Sequence, residues 1–525
     1  MERRPELRLP RAALPALVSL LTVVAAVSAW VASRHGPLLS PDSVTYLSLA
    51  RNLAAGRGYV DLTGRPNTTF APGFPALLAL GQLLGLAAST AARVVNTVSY
   101  AALVVLTWVL LRRHVASRGV ALVATLLVVI SPPLLNVSAH AWSEPLFCVV
   151  VLAFILVLEE AVSGTDPRHR LLFGAGAGLL AGVAFMVRYA GLILVLVGVI
   201  VLLLSLGTAR AKMRRIAVFV LAAAPLPAIW LIRNATSGAQ YLMGPRTAAN
   251  ESFTTLGRRF AQDSVTMFVN APSATRTRLL VLLPVVALVA FGVFAALRRR
   301  NENNADRADS RTLLPLVTFI VVYGTTVLVS GKTAGSSVDL RLLMPGFVPL
   351  VVVGAVFVSR ALAAARETPH PWARNLAYVL AVGVAIGAVS TSDAFMETSW
   401  SMGRAARGYA TDTLTSSALA RAVTRHARPS SIVTTNSPWA LYSATGHQPV
   451  IPTPGEIYPS VSLPPATSDM LADAACAEPV FFAWYGRSAH PSTDLGGDLT
   501  LTVVANVSDG VLYRVHALPT DCPDP

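Results

Sequence analysis

About eleven runs of apolar residues, each near the roughly 20 that a helix needs to cross a bilayer, recur along the chain and dictate its architecture. They lie near 12–32, 93–111, 119–135, 144–160, 171–187, 190–206, 216–232, 279–297, 312–330, 342–359 and 374–391. If each run crosses once, the basic clusters between them all fall on one side. These are Arg112/Arg113/Arg118, Arg168/Arg170, Arg210/Lys212/Arg214/Arg215, Arg298/Arg299/Arg300 and Arg360/Arg366/Arg374, joined by Arg3/Arg4/Arg8/Arg11 ahead of the first run. Positive charge collects on the cytoplasmic face, so the expected topology places the N-terminus inside and the C-terminal tail outside. One more apolar stretch, Phe74 to Ala88, would invert every later loop if it crossed, and it reads as interfacial or re-entrant.

With 54% hydrophobic and only 13% charged residues, the bilayer has to serve as solvent for most of the chain. The net charge of +15 is spread through short inter-run clusters and builds no basic domain, which argues against nucleic acid as a partner. The fold class expected is an α-helical polytopic membrane protein with about 11 transmembrane helices and a small extracytoplasmic C-terminal α/β domain. Residues 1–391 would form the membrane part, with outer loops near 33–70 and 233–278, and residues 392–525 the soluble part. In that tail, Ser431–Thr435, Pro479–Trp484, Leu501–Val507 and Val511–Val515 read as strands and Thr411–His426 as a helix. Cys148 lies in an apolar run; Cys476 and Cys522 lie in the tail, where a disulfide and two free thiols are equally open.

The segment just beyond the first run carries the most local information. Ser40 suits a helix N-cap, Pro41 the first helical position, and Asp42 the turn where the helix dipole favours an anion. Tyr46, Leu49, Ala50 and Leu53 then form an apolar stripe with Thr45, Ser48 and Asn52 on another face, the pattern of a helix lying along the membrane surface. On these residues alone Asp42 is either a helix-start acid or a functional one. Glu144 stands before Pro145 at the mouth of the fourth run, where an acid is costly unless it is paired or functional. His140 and Trp142 precede it, and Trp at that depth serves an interfacial belt or a substrate cavity. Arg188, between two closely spaced runs, faces the outer surface or a buried acid such as Glu144 or Asp42.

Several strings in order then resemble a known group: "LARNLAAGRGY" after the Asp42 turn, "FAPGFPALLAL", "AARVVNTVSYAAL", "SAHAWSEPLF", "GLLAGVAFMVRYAGLIL", "DLRLLMPGFVPL" and "IVTTNSPWALYSATGHQPVIP". The chain resembles the membrane-embedded GT-C glycosyltransferases, which include protein O-mannosyltransferases, lipid A aminoarabinose transferases and actinobacterial mannosyl- and arabinosyltransferases. The resemblance implies transfer of a sugar from a polyprenyl-phosphate donor to a hydroxyl of a glycan, lipid or protein outside the cytoplasmic membrane. It implies Asp42 as general base, Glu144 as a second site acid, and Arg93 and Arg341 as ligands of the donor phosphate. Tyr46, His140, Trp142 and Arg188 would line the substrate cavity. Arg93 reads equally as an interfacial anchor snorkelling from a helix end. Many relatives carry a second acid directly after the Asp, where this chain has Ser43, so a metal role is left open, with a divalent cation the only cofactor considered. The competing reading is a transporter or flippase of a lipid-linked or anionic solute that uses the same intramembrane charges.

Overall fold

The computed structural model describes residues 13–268 apart from 165, 238–240 and 245–251, and residues 313–367 apart from 334–337. Between 395 and 517 it describes segments of the tail that include 416–447, 450–452, 474–486 and 499–517. The expected spans 279–297 and 374–391 and the boundary at 391/392 lie outside the described residues.

Among the described residues six helices are long and apolar enough to cross a membrane: α1 (Ala13–Ala32), α4 (Ala88–His114), α7 (Glu144–Ser163), α8 (Pro167–Val187), α13 (Leu314–Thr333) and α14 (Leu340–Glu367). Two bent pairs, α5 (Arg118–Val129) with α6 (Pro132–Ala139) and α10 (Ala209–Ala223) with α11 (Pro225–Thr236), raise the number to as many as eight, each pair bent by 44°. Both breaks fall at proline. Ser131 is extended at φ −76°, ψ 110° ahead of Pro132, as a residue before proline tends to be. At the second break Pro225 and Pro227 supply no N–H to the preceding turn. The run expected to cross at 119–135 is therefore two helices. The fully buried Tyr100 hydroxyl donates toward the carbonyls of Val129 at 2.7 Å and Val128 at 3.3 Å, taking up acceptors that the break leaves free.

The run expected at 190–206 is the thirteen-residue α9 (Leu192–Leu204), the unassigned apolar stretch is the eleven-residue α3 (Gly73–Leu83), and the expected outer loop near 233–278 contains α12 (Phe253–Thr266). Small residues let α8 and α10 meet closely. A Cβ at Gly178 would stand 2.2 Å from the carbonyl oxygen of Phe219, and one at Gly182 2.8 Å from that of Ala223. Such approach is how helices associate where lipid removes the hydrophobic drive between them.

The tail carries a five-stranded sheet in the order β2-β1-β3-β5-β4. Strand β1 (Ile432–Thr435) pairs in parallel with β2 (Val450–Pro452) on one side and β3 (Val480–Tyr485) on the other, and β5 (Gly510–His516) runs antiparallel to β3 and to β4 (Thr500–Val507). The helix expected over Thr411–His426 is shorter, α15 (Ala418–His426). Ser417 caps its start, accepting from Ala420 N at 3.0 Å, and Asp509 in the β4–β5 turn reinforces it by accepting from the Ser417 hydroxyl at 2.6 Å and from the backbone N–H groups of Ala418 and Leu419 at 3.1 and 2.9 Å. Strand β2 and α16 (Pro438–Thr445) are additional to the elements expected. Cys476 is disulfide-bonded, and Cys148 is a buried free thiol.

Helix α2 (Pro41–Ala54) corrects the surface-helix expectation. Of its apolar stripe, Tyr46 and Ala50 pack with α3 and α4 and Leu49 and Leu53 with Tyr59, Phe185 and Trp230, but Thr45, Ser48 and Asn52 on the polar face are buried as well. The Asn52 amide donates to the carbonyls of Val60 and Asp61 at 2.7 and 3.0 Å, while Trp439 of the tail reaches Thr45. What reads as a water-facing side is a polar contact surface.

Candidate active site

Three chain segments far apart in sequence deliver charged groups to one point. The first is the start of α2. Ser40 caps it, accepting from Ser43 N at 3.3 Å, and Pro41 occupies the first position, so Asp42 projects from the first turn. The second is the start of α7, where Glu144 and Pro145 open the helix with Glu144 only 1% exposed. The third is the start of α14, where Asp339 accepts from Leu342 N at 2.9 Å and Arg341 follows in the first turn.

Arg341 joins the other two. Its Nη1 donates to Asp42 Oδ2 at 2.5 Å and its Nε to Glu144 Oε1. Arg188, where α8 ends in an extended residue, donates from Nη1 to the same Glu144 oxygen at 2.5 Å and to Ser143 Oγ at 3.0 Å. Ser143 also bonds the Tyr46 hydroxyl at 3.0 Å. Glu144 Oε1 thus answers two guanidinium groups, while its Oε2 is buried with no hydrogen-bond partner among the described residues. Burial pushes the Tyr46 hydroxyl up to about 12, so it stays protonated within the group. Burial likewise raises the Asp339 carboxyl above the usual range.

An aromatic stack backs the guanidinium. The Arg341 carbon Cζ lies 4.1 Å from the centroid of the Trp142 ring, and His140 stacks on Trp142 at 3.8 Å with the rings 12° apart. Trp142 Nε1 donates to Ser40 Oγ at 2.8 Å, which ties the stack to the cap of α2. The His140 Nδ1 donates to the Asn136 carbonyl at 2.8 Å. Burial pushes this imidazole down to about 4, with Arg341 adding to the depression and the Asn136 bond and Glu144 opposing it. An unfolded chain takes up a proton as pH falls below the ordinary value of 6.5, whereas folded His140 waits until about 4. Stability is therefore full above pH 6.5 and is lost as pH falls toward 4. His140→Gln is expected to lose less thermal stability than the wild type between pH 7 and 5; equal losses would show that the imidazole is not held neutral.

Asp42, Tyr46, Arg188 and Arg341 line the polar end of a cavity of about 790 Å³. Its walls continue as apolar side chains, Leu196 and Val199 from α9 and Val327 from α13. A charged head and an apolar trough fit an amphiphile with an anionic end. Arg93 stands elsewhere. Its guanidinium covers Trp30 at 3.5 Å from the ring centroid and donates to the Trp30 carbonyl at 2.7 Å and to Ser33 Oγ at 3.2 Å, so its contacts are with the end of α1. Among the described residues no three His, Cys, Asp or Glu side chains are grouped to hold a metal ion. Ser143 was not singled out from the sequence, although it sits in the "WSEP" string beside Glu144.

Residues 69–232 match the family model described as dolichyl-phosphate-mannose-protein mannosyltransferase. That stretch contains Trp142, Glu144 and Arg188, while Asp42 and Arg341 lie on either side of it. Among solved structures, ArnT from Cupriavidus metallidurans in the apo state superposes with a TM-score of 0.63 at 15% identity, covering 98% of this chain and 100% of that one. The fold is that of the GT-C glycosyltransferases. The same ArnT bound to undecaprenyl phosphate gives a TM-score of 0.62 at 14% identity, over 97% and 99% of the two chains. The arabinofuranosyltransferase AftD from Mycobacteria gives 0.55 at 17% identity, over 98% of this chain and 40% of its own. No curated protein matches by sequence. Within the GT-C frame, the charged cluster occupies the meeting point of helix starts from both halves of the membrane part.

Proposed function

We propose that this chain transfers a sugar, hexosyl or pentosyl, from a polyprenyl-phosphate-linked donor to a hydroxyl acceptor on the extracytoplasmic face. The observation that carries the reading is Arg341 bridging Asp42 and Glu144 at the head of an apolar cavity. A polyprenyl chain suits the apolar wall, and its phosphate suits Arg341 and Arg188, whose planar forks bind phosphate oxygens and keep their charge. Asp42 then accepts the proton of the acceptor hydroxyl. The hydroxyl oxygen forms the new bond to the anomeric carbon as the bond from that carbon to phosphate oxygen breaks, and the phosphate departs with the electron pair. A phosphate leaves without a general acid, so a carboxylate base and cationic phosphate ligands suffice, unlike a glycosidase with its carboxyl pair.

Asp42 and Glu144 pair with the arginines that the phosphate would engage. Donor binding replaces the Asp42 contact on Arg341 and frees the carboxylate for the acceptor. Glu144 keeps the two guanidinium groups together behind the cavity wall. Residues 1–391 act as the catalytic membrane domain and 392–525 as an extracytoplasmic domain, with the N-terminus cytoplasmic. The site lies at the end of α4 and α7 opposite Arg112, Arg113 and Glu160, which agrees with an outward-facing cavity.

Sugar transfer by the purified protein in lipid, offered a panel of radiolabelled polyprenyl-phosphate sugars with envelope acceptors, tests the reading. Label should move from one donor to an acceptor. Absence of transfer from every donor would overturn it in favour of transport.

A further inference from the structure

The first turn of α2, which carries Asp42, is gripped from two directions. On the membrane side Leu38 N donates to Ala139 O at 2.9 Å and Ala141 N to Leu38 O at 3.3 Å, while Trp142 reaches the Ser40 hydroxyl. On the tail side Tyr409 N donates to Leu39 O at 3.0 Å. That approach needs glycine beside it: Gly408 has φ +65°, and a Cβ there would lie 1.9 Å from Leu39 O. Val44 and Leu62 are buried in one cluster with Leu419, Leu441 and Tyr442 of the tail.

Helix α16 organises this second grip. Its Ser443 hydroxyl donates to Tyr409 O at 3.0 Å, fixing the residue whose N–H pairs with Leu39. At its other end Trp439 Nε1 donates to Thr45 Oγ1 at 3.3 Å, and the Thr45 hydroxyl donates in turn to Pro41 O at 3.0 Å. The chain of bonds runs from the tail domain to the carbonyl of the residue immediately before Asp42. Trp439 stands in the first turn of α16, which follows β1 after two residues, and β1 lies between β2 and β3 in the parallel part of the sheet.

We infer that Trp439 is a positioning residue for Asp42, acting through Thr45, so that the extracytoplasmic domain sets the orientation of the base. The inference rests on the proposed role of Asp42 and deepens it. The site arginines come from the membrane part and need no help from the tail to hold a donor phosphate, whereas a carboxylate has to meet the acceptor hydroxyl within hydrogen-bond reach. A small displacement of that turn therefore costs turnover and leaves donor affinity alone.

The test compares Trp439→Phe, which keeps the ring and removes the N–H, with Thr45→Val, which keeps the shape and removes the hydroxyl, in full-length protein in lipid. Each is expected to lower kcat about tenfold with KM for donor and acceptor unchanged and with the wild-type melting temperature. The double variant should lose no more than either single one, since both break one relay. Wild-type kcat in Trp439→Phe, or multiplied losses in the double variant, would overturn the inference. So would an unchanged kcat with a raised acceptor KM, which would mean that the indole touches the acceptor. Asp42→Asn, run alongside, separates the two readings. If it is inactive while Trp439→Phe turns over normally, the base stands and the positioning role falls; if it is fully active, the base reading itself falls.

Discussion

Asp42→Asn is expected to lower sugar transfer by about 10²- to 10⁴-fold, the range a positioned general base supplies, while insertion and donor binding persist. Asparagine keeps the size of the side chain and one oxygen for Arg341, which now lies 2.5 Å from Asp42 Oδ2. It removes the negative charge that competes with donor phosphate for that guanidinium. Donor affinity should accordingly be unchanged or higher, and the loss should fall on kcat. Titrating the variant with a polyprenyl phosphate and measuring single-turnover transfer checks both halves. Full transfer activity would remove Asp42 as the base, and lost donor binding would show that its charge organises the phosphate site.

The parts of this site that local chemistry specifies were legible in the sequence. A cap, a proline and an acid in succession define the start of α2, and Glu144 with Pro145 defines the start of α7, because caps involve residues only a few positions apart. The joining of those starts was not legible. Arg341 meets Asp42 and Glu144 across 299 and 197 residues, and no periodicity carries that information. Arg188 illustrates the boundary: its position between two runs allowed the outer surface or a buried acid, and its contact with Glu144 depends on how α8 packs on α7.

Amphipathic patterning misled for α2 because a polar face satisfied by protein has the same residues as one satisfied by water. Thr45 and Asn52 would suit either, and only the fold brings Trp439 and the carbonyls of Val60 and Asp61 to them. In the tail, β-branched and aromatic runs marked four strands, whereas the three residues of β2 and the eight of α16 are too short for a period to show. The start of α15 lay partly beyond local reading for another reason. Ser417 caps it locally, accepting from Ala420 N at 3.0 Å, but Asp509, which takes the next two N–H groups, arrives from the β4–β5 turn some 90 residues later in the chain.

Glu144 is where the two arginines meet, and its replacement should affect stability as well as activity. The side chain is 1% exposed, and one of its oxygens holds both Arg188 and Arg341. Removing one member of a buried ionic group while its partners remain costs about 3–5 kcal/mol, because the uncompensated charges stay desolvated. Glu144→Ala is expected to lower the melting temperature in lipid or detergent and to abolish transfer, with donor affinity reduced because the guanidinium groups lose their common anchor. Glu144→Gln, which keeps the volume and one acceptor, should be milder in both. In that variant Arg188 loses its anion and Arg341 keeps only Asp42, and a phosphate supplies the missing charge. Adding a polyprenyl phosphate should therefore raise the melting temperature of Glu144→Gln by more than it raises that of the wild type, as expected when a ligand binds only the folded state. An equal rise in both proteins would mean that the phosphate does not engage the Arg188 and Arg341 pair, and wild-type melting in Glu144→Ala would mean that the cluster does not bear on stability.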